Sequence, residues 1–202
     1  MKPIGYLIQD KFSRKGERGE YYNYILAANG LFVQASNLLI DACVPIHSCE
    51  IRGLVPDKKM NESEFTESAG LLPWVILKHG KIPWLHLELI LNCFKEYGNT
   101  ELYIAVLWAQ EEQAYEIVIP GQNSNCSSVQ YQCLNNVVLE IHSHPNMPAE
   151  FTSKDDDDEQ GLKIYGVASV INGHIVDVKY RVGIYGYYYT LPSRYLKCAI
   201  FE

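Results

Sequence analysis

No apolar run in this 202-residue chain is long enough to cross a bilayer as a helix, so no membrane partner is expected. The start, MKPIGYLIQDKFSRKGERGE, lacks the apolar region of a secretory signal, and an intracellular, cytoplasmic protein is expected. Basic residues are scarce: 17 Lys and Arg face 24 Asp and Glu, a formal charge of -7. Nucleic-acid binding through the phosphate backbone needs a basic surface that displaces counterions, so that class is set aside. None of the six cysteines forms a CxxC pair. They read as small core or surface residues in a reducing compartment rather than as a disulfide frame. Cys43, His47 and Cys49 crowd into CVPIHSC, but a structural metal site there lacks a fourth ligand and the usual tight pairing.

What is present is an ordinary globular composition, 48% hydrophobic and 20% charged, which can build a core without staples. The pattern divides the chain into two units, 1–78 and 79–202. The first is rich in short alternating segments. Residues 21–28 and 31–35 flank Asn29-Gly30, a strong hairpin signal, and 38–44 and 50–54 read as further strands. Residues 57–68 are polar and read as a loop. This unit carries no recognisable chemistry. The cluster Tyr21, Tyr22 and Tyr24 reads as core and sheet surface, with partner docking the one role left open for it.

The second unit opens with Pro83 as the first residue of a helix whose apolar spacing runs through Leu85, Leu89, Cys93 and Phe94, beside Leu87 and Ile90, until Gly98 stops it. Strands are expected over 101–108, 114–119, 129–133 and 137–141, a helix over 154–162, then strands over 164–171, 174–182 and 185–191. Asn172-Gly173 joins two of these last as a hairpin. Helix, strands, helix and strands in that order make an α+β fold, not a doubly wound one.

The informative stretch is EIHSHPNMPAEFTSKDDDDE, residues 140–159. His142 and His144, two apart at the end of a strand, point the same way because side chains alternate with period two. Glu140 is read as facing the same side as neither histidine. Two imidazoles and one carboxylate are a common ligand set for catalytic zinc, which keeps its fourth position for water. An HxH pair alone is a weak signal. The acidic run has an ordinary reading too, since acids in a helix's first turn complement its dipole, with Thr152 or Ser153 as N-cap. The remaining histidines, His47, His79, His86 and His174, have no partner spacing and read as structural.

The order HSHP, six residues, Thr152, two residues, Asp155 resembles the JAMM motif of the MPN+ (Mov34/MPN/PAD-1) zinc metalloproteases, over roughly residues 81–191. The segment HSHPNMPAEFTSKDDDDEQGLKIYGV looks similar to one prokaryotic branch, the PRTRC system protein A group. The resemblance implies a curved, cytidine-deaminase-like β-sheet flanked by helices, preceded here by a small β-rich domain. It implies one Zn2+ per chain on His142, His144 and Asp155. The family's upstream glutamate, which activates the attacking water and later protonates the leaving amine, falls on Glu101, with Glu88 the weaker substitute. The family serine that helps stabilise the oxyanion is replaced by Thr152, which keeps the hydroxyl but adds a methyl and stiffens χ1. The implied activity is hydrolysis of the bond after the C-terminal glycine of a ubiquitin-like protein, in a bacterial setting with an activating-type enzyme nearby. A catalytically silent scaffold and a small-molecule metallo-amidase are the alternatives. Residues 121–128 are a candidate wall of the groove that would hold an extended tail.

Overall fold

The computed structural model describes residues 2–10, 13–47, 70–125 and 129–202. The expected strand over 50–54, the loop over 57–68, Cys49, Cys126 and the side chain of His47 lie outside the described residues, and with them the CVPIHSC cluster. Two six-stranded mixed sheets dominate, and the fold is α+β. The first holds β1 (Ile4–Gln9), β2 (Arg14–Glu17), β3 (Tyr22–Ala27), β4 (Gly30–Ser36), β5 (Ile40–His47) and β6 (Trp74–Leu77), in the order β2-β1-β3-β4-β5-β6. Only β1 and β3 run parallel; every other pair in it is antiparallel.

After β6 come α1 (Trp84–Tyr97), β7 (Tyr103–Ala109), β8 (Ala114–Val118), β9 (Gln122–Ser124), β10 (Val129–Tyr131) and β11 (Val137–Pro145). Then follow α2 (Ser153–Asp158), β12 (Lys163–Ile171), β13 (His174–Ile184) and β14 (Tyr187–Thr190). A three-residue helix, α3 (Ser193–Tyr195), runs into a π-helical turn over Leu196–Ile200. The second sheet has the order β14-β13-β12-β11-β7-β8, and β9 and β10 form a separate hairpin. β11 lies near its middle, parallel to β12 and antiparallel to β7, and all nine of its residues are buried.

The helix α1 packs against β12 and β13. Pro83 is its N-cap rather than its first helical residue, and Gly98, at φ 40, ends it. The buried face is Leu87, Ile90 and Phe94, spaced i, i+3 and i+7, while Leu85 and Leu89 are exposed. One apolar cluster runs without interruption from Val33, Ile40, Val44 and Val75 of the first sheet to Ile104, Leu139, Ile141, Ile164 and Val182 of the second. Polar ties cross between the sheets as well. The Tyr24 and Tyr187 hydroxyls lie 2.5 Å apart, and Asn37 Nδ2 donates to Leu162 O (3.2 Å).

The hairpin between β12 and β13 closes as its Asn-Gly pair requires, with Asn172 at φ 50 and Gly173 at φ 74. The hairpin between β3 and β4 is shifted by one residue. Gly30 pairs with Ala27, so Ala28 and Asn29 make the turn, and the Asn29 side chain bonds both backbone groups of Leu71. Residues 185–191 are not one strand. Tyr185 and Gly186, both at positive φ, form a second two-residue turn, and Ile184 pairs with Tyr187. No helix among the described residues is long and apolar enough to cross a membrane.

Phe94 is fully buried between α1 and the sheet. Phe94→Ala is expected to lower unfolding free energy by roughly 3–5 kcal/mol, from lost transfer plus cavity. Urea denaturation of the metal-free protein checks this as a lower midpoint at unchanged slope.

Candidate metal centre

Period-two alternation on β11 sends Leu139, Ile141 and Ser143 to the face that carries the apolar core, and Glu140, His142 and His144 to the other. The expectation for Glu140 was therefore mistaken: positions 140, 142 and 144 have the same parity. Glu140 lines the same cleft as the histidines and pairs with Lys163. The cleft is about 190 Å³ and is walled by Glu101, Tyr103, Tyr131, Met147, Thr152 and Lys154, among others.

Three potential ligands converge in it. His142 Nε2 lies 3.1 Å from His144 Nε2 and 3.3 Å from Asp155 Oδ1. All three ligand atoms fall within 4.8 Å of one another, a group that can hold a metal ion. A tetrahedral zinc with ligands at the usual bond lengths separates ligand atoms by about 3.3 Å, so the two shorter edges fit such an ion. The neighbours of these groups also suit metal binding. His144 Nδ1 donates to Pro148 O (3.0 Å), and a carbonyl can only accept, so the neutral ring keeps a lone pair on Nε2. Asp155 divides its oxygens. Oδ2 accepts from Thr152 N–H (2.6 Å) and Thr152 Oγ1–H (2.7 Å), which leaves Oδ1 on the side of His142.

That division is a capping box. Thr152 is the N-cap of α2, its hydroxyl oxygen accepts from Asp155 N–H (3.4 Å), and Asp155 closes back on the N-cap N–H. The geometry separates Asp155 from the other acids of the run, since it is the N3 residue of the box. It also shows what the Thr152 hydroxyl proton does: it is donated to Asp155. The helix stops at Asp158, short of 162, because Glu159 turns inward to Arg181 and Leu162 turns into the core.

Glu101 is buried and lines the cleft, just before β7. Two features fix it there. Its N–H donates to Asn125 O (2.8 Å), and Ser143, between the two histidines, binds both backbone groups of Leu102. Leu102 N–H donates to Ser143 Oγ (3.0 Å) while Ser143 N–H donates to Leu102 O (3.0 Å). Gln122 does the same for Tyr103, accepting from its N–H (2.9 Å) and donating to its carbonyl (3.0 Å). Glu88 sits on the exposed side of α1 and does not line the cleft. Of the candidate wall, 126–128 lie outside the described residues, and it is Val129 and Tyr131 of β10 that reach the cleft. His79 stacks on Trp108 and His86 Nε2 lies 2.9 Å from Tyr115 O; neither lines the cleft.

Charge in the cleft is set by burial. Burial raises the Glu101 carboxyl above its ordinary value, with His144 and Lys154 opposing and Asp155 adding to the shift. For Asp155 burial would do the same, but His142 and the two Thr152 hydrogen bonds hold it below its usual value. Burial pushes His142 down to about 4, with Asp155 opposing. Burial likewise raises Glu159, yet Arg181 Nη2 lies 2.7 Å from its Oε2 and a guanidinium keeps its charge, so the contact stands as an ion pair.

Ser143, Glu140 and Arg181 are the contributors that sequence reasoning passed over. Parity alone places Glu140 with the histidines. Ser143, a small polar residue in an otherwise apolar and histidine-bearing strand, carries a signal of its own, whereas Arg181 sits in a strand with several other polar residues and carries none. Compared with models of protein families and with curated protein sequences, the chain has no match.

Between pH 6.5 and about 4 the unfolded chain binds a proton at position 142 that the folded chain refuses. The stability tied to neutral His142 is thus complete above pH 6.5 and lost as pH falls toward about 4. In metal-free protein, His142→Gln is expected to flatten the decline of unfolding free energy across that window. Urea melts from pH 7 to 4 measure it, and an equal decline in both proteins would refute the assignment.

Proposed function

We propose that this chain is a zinc-dependent isopeptidase of the JAMM/MPN+ kind, its second sheet with α1 being the MPN fold, hydrolysing the bond after the C-terminal glycine of a ubiquitin-like protein. The observation that carries the reading is the convergence of residues far apart in sequence. Glu101, His142, His144, Thr152 and Asp155 line one cleft, with the three ligand atoms grouped and Asp155 oriented by Thr152. Two imidazoles and a carboxylate suit a hydrolytic zinc site better than a structural one, which is usually closed by four protein ligands.

When bound, zinc supplies Lewis acidity to a water and to the scissile carbonyl. Glu101, whose burial raises its affinity for a proton, takes the proton from the attacking water. The water oxygen bonds the carbonyl carbon, the C–N bond breaks, and Glu101 passes the proton to the departing amine. Thr152 holds Asp155 and sits at the wall where the oxyanion develops. Its hydroxyl proton serves Asp155, so any help to the oxyanion requires that proton to be shared. No cysteine takes part. The Tyr103–Tyr131 pair, stacked at 3.6 Å between ring centroids, forms an aromatic wall beside the ligands that suits an extended peptide tail. Partners are a ubiquitin-like substrate and an activating-type enzyme that makes its conjugates.

The test uses a ubiquitin-like protein extended past its terminal glycine, with zinc-loaded wild type and Glu101→Gln. Wild type should cleave, and Glu101→Gln should lose at least about 10²-fold in rate while keeping its zinc. Binding without cleavage by wild type would favour a scaffold, and turnover of small amides alone would favour a metallo-amidase. Full activity of Glu101→Gln would remove Glu101 from the base role.

A further inference from the structure

We propose that Arg181 is a positioning residue for the metal ligand Asp155, holding α2 over the histidines of β11; this rests on the metal reading above. The helix α2 has six residues and none of them is buried. A helix that short is not stable by itself and has no apolar face to anchor it. Its capping box orients Asp155 relative to Thr152, but both belong to the same turn, so the box does not place the turn over the sheet.

Arg181 supplies the missing constraint. It stands on β13 opposite Tyr165 of β12, which is itself opposite Glu140 of β11, so Arg181 shares the row and the face of the cleft residues. Its side chain is 6% exposed. The guanidinium lies between the rings of Phe151 and Tyr188, 4.0 Å and 3.8 Å from their centroids. Nη1 donates to Asp156 Oδ1 (2.5 Å), Nε donates to Glu159 Oε2 (2.8 Å), and Nη2 lies 2.7 Å from the same oxygen. The Tyr188 hydroxyl, held over the same end of the helix, faces Asp156 O (2.7 Å) and Glu159 O (3.0 Å). Asp156 and Glu159, which follow Asp155, are thereby held to β13 and β14, and Phe151, which precedes it, packs on the same guanidinium. A planar fork pinned by two rings has little freedom, so the position it gives Asp156 and Glu159 passes to the Asp155 carboxylate that directly precedes them in the same short helix. The same cation offsets the repulsion along Asp155, Asp156, Asp157, Asp158 and Glu159.

The role predicts a separation between metal affinity and folding. Zn2+ is titrated against a competing chelator into metal-free full-length wild type, Arg181→Gln, Arg181→Lys and Asp155→Asn, with urea melts of each metal-free protein. Arg181→Gln should weaken zinc by about 10- to 100-fold, the range for loss of a group that orients a ligand. Arg181→Lys, which keeps the charge but loses fork and stacking, should fall between it and wild type. Both should stay folded under the titration conditions. Co2+ in place of zinc gives a spectroscopic readout, and its visible band should lose tetrahedral intensity in Arg181→Gln. If Arg181→Gln does not fold, Tyr188→Phe, which removes only the hydroxyl facing α2, should weaken zinc several-fold. Wild-type zinc affinity in folded Arg181→Gln, or in Tyr188→Phe where that variant is needed, overturns the proposal alone. A wild-type chain that binds no zinc overturns the metal reading and this one together.

Discussion

Burial of β11 between β7 and β12 forces an unusual arrangement on the sheet. A strand laddered on both sides exposes none of its backbone, and alternation then commits Glu140, His142 and His144 to a single face with almost no access to water. Polar groups in that position are costly unless each has a partner. Glu140 finds Lys163, and His144 finds the Pro148 carbonyl. His142 faces only the second imidazole and the Asp155 carboxylate through Nε2. With its proton on Nε2, His142 can donate to the His144 Nε2 lone pair (3.1 Å), and with that proton lost the two nitrogens and Asp155 Oδ1 are close enough to share a cation.

The same strand sets the rest of the cleft from its opposite face. Ser143 points away from the histidines and hydrogen-bonds Leu102, and so fixes where Glu101 enters. The spacing of the two imidazoles and the placement of Glu101 are thus two consequences of one strand register. The Asp155 carboxylate comes from outside the sheet, on a short polar helix that, among the described residues, is held by Arg181 and Tyr188. Met147 is fixed in turn by Ser169, whose hydroxyl donates to its carbonyl (2.6 Å), and Asn146 N–H donates to Val170 O (2.7 Å). The start of the loop between the histidines and α2 is therefore tied to β12.

Much of this was readable from local chemistry. The HxHP pair at a strand end, the Asn172-Gly173 turn and a helix stopped at Gly98 all follow from rules that act within a few residues. The capping box was half visible, since Thr152 was one of two possible N-caps. Failures came where distant residues decide. β1 and β2 went unread because Arg14, Lys15 and Glu17 give no apolar alternation, yet β1 is held by pairing with β3. Tyr185 breaks an apparently continuous aromatic strand by taking positive φ, a conformation supported by its packing on Tyr22, 5.9 Å away between centroids. Arg181 is one of several charges in a half-polar strand, and only the tertiary structure shows it between two rings and two acids.

His142, His144 and Asp155 form a group that can hold a metal ion, and we propose that the ion is a single zinc. Metal analysis of protein purified without chelators, compared with His142→Ala, tests it most directly. About one zinc per wild-type chain is expected, and a loss of nearly all of it in the variant. Wild-type protein that remains folded at neutral pH and holds no zinc, even after incubation with excess metal and desalting, would contradict it.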